Sequence, residues 1–116
     1  MDQKISYADH RVKQIIQDCF PNYKGRKISL SDHIPSQLNS WWDEGSRTYY
    51  TFYQPSTRKV FQVHSNHPLF EANQPRELHE EAIPEDVLLI SHHIFCGKDA
   101  GITIHVKPDQ TKLLPL

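Results

Sequence analysis

The chain has few glycines and few cysteines, no charge imbalance, and no apolar run long enough to cross a bilayer. Four glycines stand against eight prolines, so stiff connections are expected in place of flexible linkers. The two cysteines, Cys19 and Cys96, form no CxxC pair. That excludes the usual thiolate metal and redox spacings, and two reduced thiols are expected in preference to a disulfide. The segment from Ala82 to Ile90 is interrupted by Pro84, Glu85 and Asp86, whereas a spanning helix needs about twenty apolar residues. Met1-Asp2-Gln3-Lys4 leads into a polar amphipathic stretch and not into the apolar centre of a signal peptide. These absences predict a cytoplasmic protein with no membrane partner. A net charge of −1 argues against a protein whose main task is neutralising phosphates, so nucleic acid is not the favoured partner.

What is present is ordinary for a globular protein. The 116 residues, 23% charged and 37% hydrophobic, fit a single domain over 1–116 that buries roughly two thirds of its unfolded surface. Charge is unevenly placed along it. Lys4, Arg11, Lys13, Lys24, Arg26 and Lys27 make the beginning basic, and Glu71, Glu77, Glu80, Glu81, Glu85 and Asp86 make a later stretch acidic. Such a stretch is either a solvated loop or a contact surface for a basic partner.

Ala8, Val12, Ile15, Ile16 and Cys19 recur at spacings of three and four, which predicts a helix over Ser6 to Phe20, stopped by Pro21. Ser6 and Asp9 resemble a capping box at its start. Arg26 to Leu30 reads as a short strand with Ile28 and Leu30 inward. The segment from Ser36 to Asp43 is ambiguous, and on a strand Trp41 and Trp42 would face opposite sides. Gly45 to His64 reads as a hairpin, rich in β-favouring rings and turning at Pro55-Ser56-Thr57. Ser65 to Glu85 reads as a long irregular excursion with one helical turn near Arg76 to Glu81, and loops of that length are often functional.

The stretch from Val87 to Lys107 carries the strongest pattern. Val87 to Cys96 is apolar on both faces up to Ile90, as in a central strand covered on both sides. Gly97-Lys98-Asp99-Ala100-Gly101 is the expected turn. The return strand would send Ile102, Ile104 and Val106 inward, with Thr103, His105 and Lys107 outward, and the apolar tail from Leu113 would dock on the body. The fold class expected is α+β, an N-terminal helix packed on an antiparallel sheet of about five strands.

Eight histidines supply the candidate chemistry. Alternation puts His92 on one face with Ile90, Ile94 and Cys96, and His93 on the other with Ser91 and Phe95. His92 and Cys96 would stand about 13 Å apart, too far to share an ion. With neither HExxH nor CxxC spacing, no metal site is assigned and no cofactor is expected. His93 and His105, on adjoining strands, approach each other if the register allows. With Lys98 and Arg47 they would furnish the acid, base and cations of a metal-independent ribonuclease. A helix followed by an antiparallel sheet is the layout of several small ribonuclease toxins, an analogy of fold alone. The glycine-flanked Lys98 turn also suits an anion held by backbone amides, although a plain hairpin turn accounts for the same residues. On the first hairpin, Tyr50 and Phe52 are expected inward, leaving Arg47, Tyr49 and Tyr53 as an exposed binding set.

Tyr23-Lys24-Gly25-Arg26-Lys27, the segment WDEGSRTYY from Trp42, His67-Pro68 and HHIFCGKDAGITIHV resemble small proteins of bacteria, phages and mobile elements. That resemblance implies a protein that works by binding, such as an inhibitor of a host or rival system, and it carries over no catalytic residue. The expected function is therefore a non-enzymatic interaction protein with a protein partner, contacted through Arg47, Tyr49, Tyr53 and the acidic excursion. One alternative is a hydrolase or ribonuclease using His93, His105, Lys98 and Arg47. The other is a metal-binding protein using His92, His93, Cys96 or His105. An exposed edge strand would allow a homodimer.

Overall fold

The computed structural model describes residues 2–4, 10–25, 27–35, 46–62, 70–71, 74–78, 81 and 83–114. The elements are β1 (Asp2–Lys4), α1 (His10–Cys19), β2 (Ile28–Ser31), β3 (Ser46–Gln54), β4 (Lys59–Gln62), β5 (Phe70–Glu71), β6 (Gln74–Leu78), β7 (Leu88–Phe95) and β8 (Lys98–His105). A 3-10 segment at Pro108–Leu113 follows. One six-stranded sheet runs β1-β2-β8-β7-β3-β4, and β5 pairs with β6 in a separate ladder. The fold is thus α+β with a mostly antiparallel sheet. Among the described residues one ladder is parallel, joining β2 to β8 with Ile28 opposite Ile102 and Leu30 opposite Ile104.

Burial follows the periodicities of the sequence. Helix α1 buries Val12, Ile15 and Ile16 against Ile28, Leu30, Tyr53, Leu88, Ile90, Ile102 and Ile104. Beyond Pro21 the chain turns, with the Tyr23 amide donating to the Phe20 carbonyl. The opposite face holds a second core of Ile34, Phe52, Leu78, Ile83, Val87 and Leu89. Strand β7 therefore lies between two apolar layers, which is why its first three residues, Leu88, Leu89 and Ile90, are all apolar. Gln110 closes the lower end. It is 1% exposed, its amide donates to the Pro84 and Val87 carbonyls, and its oxygen accepts from the Lys107 amide. Leu114 packs on the helix-side core.

Three expectations change. A strand, β6, stands where a helical turn was expected near Arg76, because Gln74–Leu78 pairs with β5 and seats Leu78 in the second core. The turn after β7 is shorter than Gly97 to Gly101: Phe95 pairs directly with Lys98, and Asp99 already pairs with Ile94. Cys96 and Gly97 both take positive φ, 50° and 78°, the backbone signature of a two-residue hairpin. Lys98 to Gly101 belongs to the ladder, so it forms no anion-binding loop. Third, Tyr53 is core. It is 1% exposed, packed under α1, and its hydroxyl donates to Asp18 at 2.6 Å. The notion that one face of β3 is open fails there because α1 covers that face of its end. The Ser6–Asp9 cap and the segment with Trp41 and Trp42 lie outside the described residues.

Candidate functional site

The ladder places adjacent histidines on opposite faces of β7. On the second-core face, Thr48 pairs with His93, and Ser91 pairs with Thr103. Five polar side chains meet there. Thr48 Oγ1 lies 2.9 Å from His93 Nδ1. His93 Nε2 lies 3.3 Å from Ser91 Oγ and 3.2 Å from Thr103 Oγ1. Ser91 Oγ lies 3.0 Å from His105 Nε2, and His105 Nδ1 lies 2.9 Å from the His33 carbonyl. His93 and His105 thus converge through Ser91, the approach that the sequence left to the register.

The partner of His105 assigns its hydrogen. A carbonyl only accepts, so neutral His105 carries its proton on Nδ1, and its Nε2 accepts from the Ser91 hydroxyl. The partners of His93 are the Thr48, Ser91 and Thr103 hydroxyls, each able to donate or accept. Burial, followed by the positive charges of His92 and Lys27, pushes the His93 pKa down from 6.5. Ser91 is 0% exposed and His105 8% exposed. The ring nitrogens of this cluster are engaged and its central hydroxyl is closed to a substrate.

The helix-side face is different. His92 Nε2 pairs with Asp99 Oδ1 at 2.9 Å, while the Lys24 amide donates to Asp99 Oδ2 at 2.8 Å. The Lys24 amide, more than the His92 ring, holds the Asp99 carboxyl below its ordinary range. Phe20 and Tyr23 pack on the His92 ring, at centroid distances of 5.0 and 5.1 Å. Tyr23 is fixed in turn by donating from its hydroxyl to the Lys27 carbonyl. Tyr49 pairs with His92, and Ile94 pairs with both Arg47 and Asp99. This end of the face lies beyond α1. Tyr49 is 43% exposed there, Ile94 is half-buried, and Lys24, whose amide holds Asp99, is exposed beside it; the Lys27 side chain lies instead against Gly101, the ladder partner of His93.

The structure therefore separates the predicted site residues. His93 and His105 meet. Lys98 lies at the hairpin tip opposite Phe95, and Arg47 opposite Ile94; the Arg47 side chain is outside the described residues. Tyr49 is exposed and Tyr53 is buried. Cys19 and Cys96 are both free thiols, and burial pushes the Cys19 thiol far up. Among the described residues no three His, Cys, Asp or Glu side chains lie close enough to hold a metal ion. His92 and His93 point away from each other. The sequence reading missed Ser91, Thr48 and Thr103, whose positions at period two from the histidines were the available signal. It also missed Asp99 as the partner of His92, and there the two-residue turn is what brings them together.

Asp18 forms a further polar centre between α1 and the first hairpin. It accepts from Arg58 at 2.9 and 3.0 Å, from Tyr53 and from Gln14 at 3.1 Å. The Arg58 hydrogen bonds, opposed by burial and helped by Tyr53, hold its carboxyl at about 2. Comparison of the chain with protein-family models, with curated proteins and with solved structures found no match.

Proposed function

We propose that the protein is a non-enzymatic interaction module that binds a protein partner at the end of the helix-side face. Tyr49 and Ile94 would be the apolar anchor and the exposed Lys24, next to Asp99, would stand at the rim, so the partner would present an apolar side chain beside a carboxylate. One contrast carries this reading. The polar groups of the histidine cluster that an acid–base enzyme would use are engaged with one another, with Ser91 and His105 buried, whereas Tyr49 offers 43% of its surface beyond the helix. Large aromatic side chains backed by a rigid ladder are common anchors of protein interfaces.

The test compares affinity capture by wild type, Tyr49→Ala and His93→Gln, with the captured protein then purified and titrated against each. The expected result is a partner whose affinity drops at least tenfold with Tyr49→Ala and is unchanged with His93→Gln. Turnover of an RNA or ester that falls about 100-fold in His93→Gln would replace this reading with the hydrolase one. Stoichiometric binding of nucleic acid with a steep salt dependence would replace the protein partner.

A further inference from the structure

We propose that β4 is the seam of a homodimer, pairing antiparallel with β4 of a second copy so that Phe61 meets its own equivalent. This surface is separate from the Tyr49 face and stands without it. Among the described residues β4 ends the sheet on one side and β1 ends it on the other. β1 is three residues with Asp2 and Lys4 at its ends, and charges on so short an edge discourage pairing. β4 is Lys59-Val60-Phe61-Gln62, with its charge at the start and Phe61 39% exposed.

The ladders decide which backbone groups β4 offers. The Ile102 and Val106 amides donate to the Lys27 and Ser31 carbonyls, so Thr103 and His105 turn their peptide groups toward β7. Counting on through the registers of β7, β3 and β4 points Lys59 and Phe61 at β3, and Val60 and Gln62 away from it. The Thr51 hydroxyl agrees with the count, since it donates from β3 to the Phe61 carbonyl at 3.0 Å. Side chains alternate as well. Val60 lies opposite Tyr53 and packs on the helix-side core, while Phe61 lies opposite Phe52 on the second-core side.

One register suits both the backbone and the rings. With Phe61 opposite its equivalent, Val60 of each copy meets Gln62 of the other, and each such pair exchanges both of its hydrogen bonds. The Phe61 pair falls at the non-bonded position, where facing side chains come closest, and cross-strand aromatic pairs stabilise a sheet. The two-fold axis passes between the rings at right angles to the sheet, so both stand on the same face. The two Lys59 residues then lie about 13 Å apart along the seam, and no like charges oppose. Setting Val60 against Val60 would leave a single bonded pair and place Lys59 against Phe61. On the helix side Arg58, just before β4, and Gln14 are both bonded to Asp18. The apolar contact therefore comes from the Phe61 face, and a seam that small makes a weak dimer.

Sedimentation over a range of concentrations, with cross-linking through introduced thiols, tests the seam. In a Cys96→Ser background, Phe61→Cys should oxidise to a covalent dimer, because its two copies lie within disulfide reach. Lys59→Cys in the same background should not. Wild type should form a concentration-dependent dimer, which Phe61→Lys should weaken by about tenfold or more, since like charges would then oppose. Gln62→Pro should act the same way, because it removes an outward amide and spares the ladder to β3. Tyr49→Ala should leave the dimer as in wild type. A wild-type chain that stays monomeric up to about 1 mM would overturn the proposal. So would cross-linking of Lys59→Cys as readily as Phe61→Cys, or a dimer that neither Phe61→Lys nor Gln62→Pro weakens.

Discussion

His92 and His93 are neighbours in the chain and share almost nothing else. His92 lies among Phe20, Tyr23 and the Asp99 carboxylate, at the edge of the helix-side core. His93 lies in a row of hydroxyls, pushed toward its neutral form chiefly by burial, with the Lys27 charge adding to it. The same side chain is thus matched to a charge on one face and to uncharged donors and acceptors on the other. A histidine-rich sequence therefore says little about chemistry until each ring has a face, because partners and burial set the protonation state.

The largest test of the contrast removes the ground beneath each ring. Ile90 and Leu89 are buried on opposite faces. Ile90→Ala and Leu89→Ala are each expected to cost about 2–5 kcal/mol in denaturant unfolding, since both layers are core. A loss below about 1 kcal/mol for Leu89→Ala would mean that the second face is only loosely packed.

The pH dependence of stability sharpens the comparison next. His93 has a folded pKa below 6.5, so the unfolded chain takes up a proton there before the folded one does. Its contribution to stability is complete above about 6.5 and is lost as pH falls through the lower folded value. His93→Gln should flatten the decline below pH 6.5, as followed by thermal unfolding at several pH values. An unchanged slope would show that His93 is free to charge in the native state. The smallest effect belongs to the other ring. Asp99→Asn removes a partly exposed pair and should cost about 0.5–1 kcal/mol, less at high salt. A salt-independent loss of several kcal/mol would instead make Asp99 a buried structural hub.

Much of the architecture was legible in local pattern. The spacing of Val12, Ile15 and Ile16 announced the helix face, and Ile28, Leu30, Ile102, Ile104 and Val106 all fall inward as their alternation predicts. Tyr53 was misjudged because alternation orders residues into two sets without saying which set is covered at a given point along the strand. Here both are, since α1 lies over the end of β3 that carries Tyr53. The strand at Gln74–Leu78 was hidden by an acidic, proline-bearing composition, and only Leu78 in the second core explains it.

The sequence by itself determined the strand and helix periods, the hairpins and the opposition of His92 to His93, because those depend on near neighbours along the backbone. Tertiary structure alone decided which strand lies beside which. It set the β2–β8 ladder parallel, placed Ser91 between His93 and His105, and brought Lys24 to Asp99 across 75 positions of chain. Such contacts depend on register and on the covering of faces, and no local pattern of residue types encodes either.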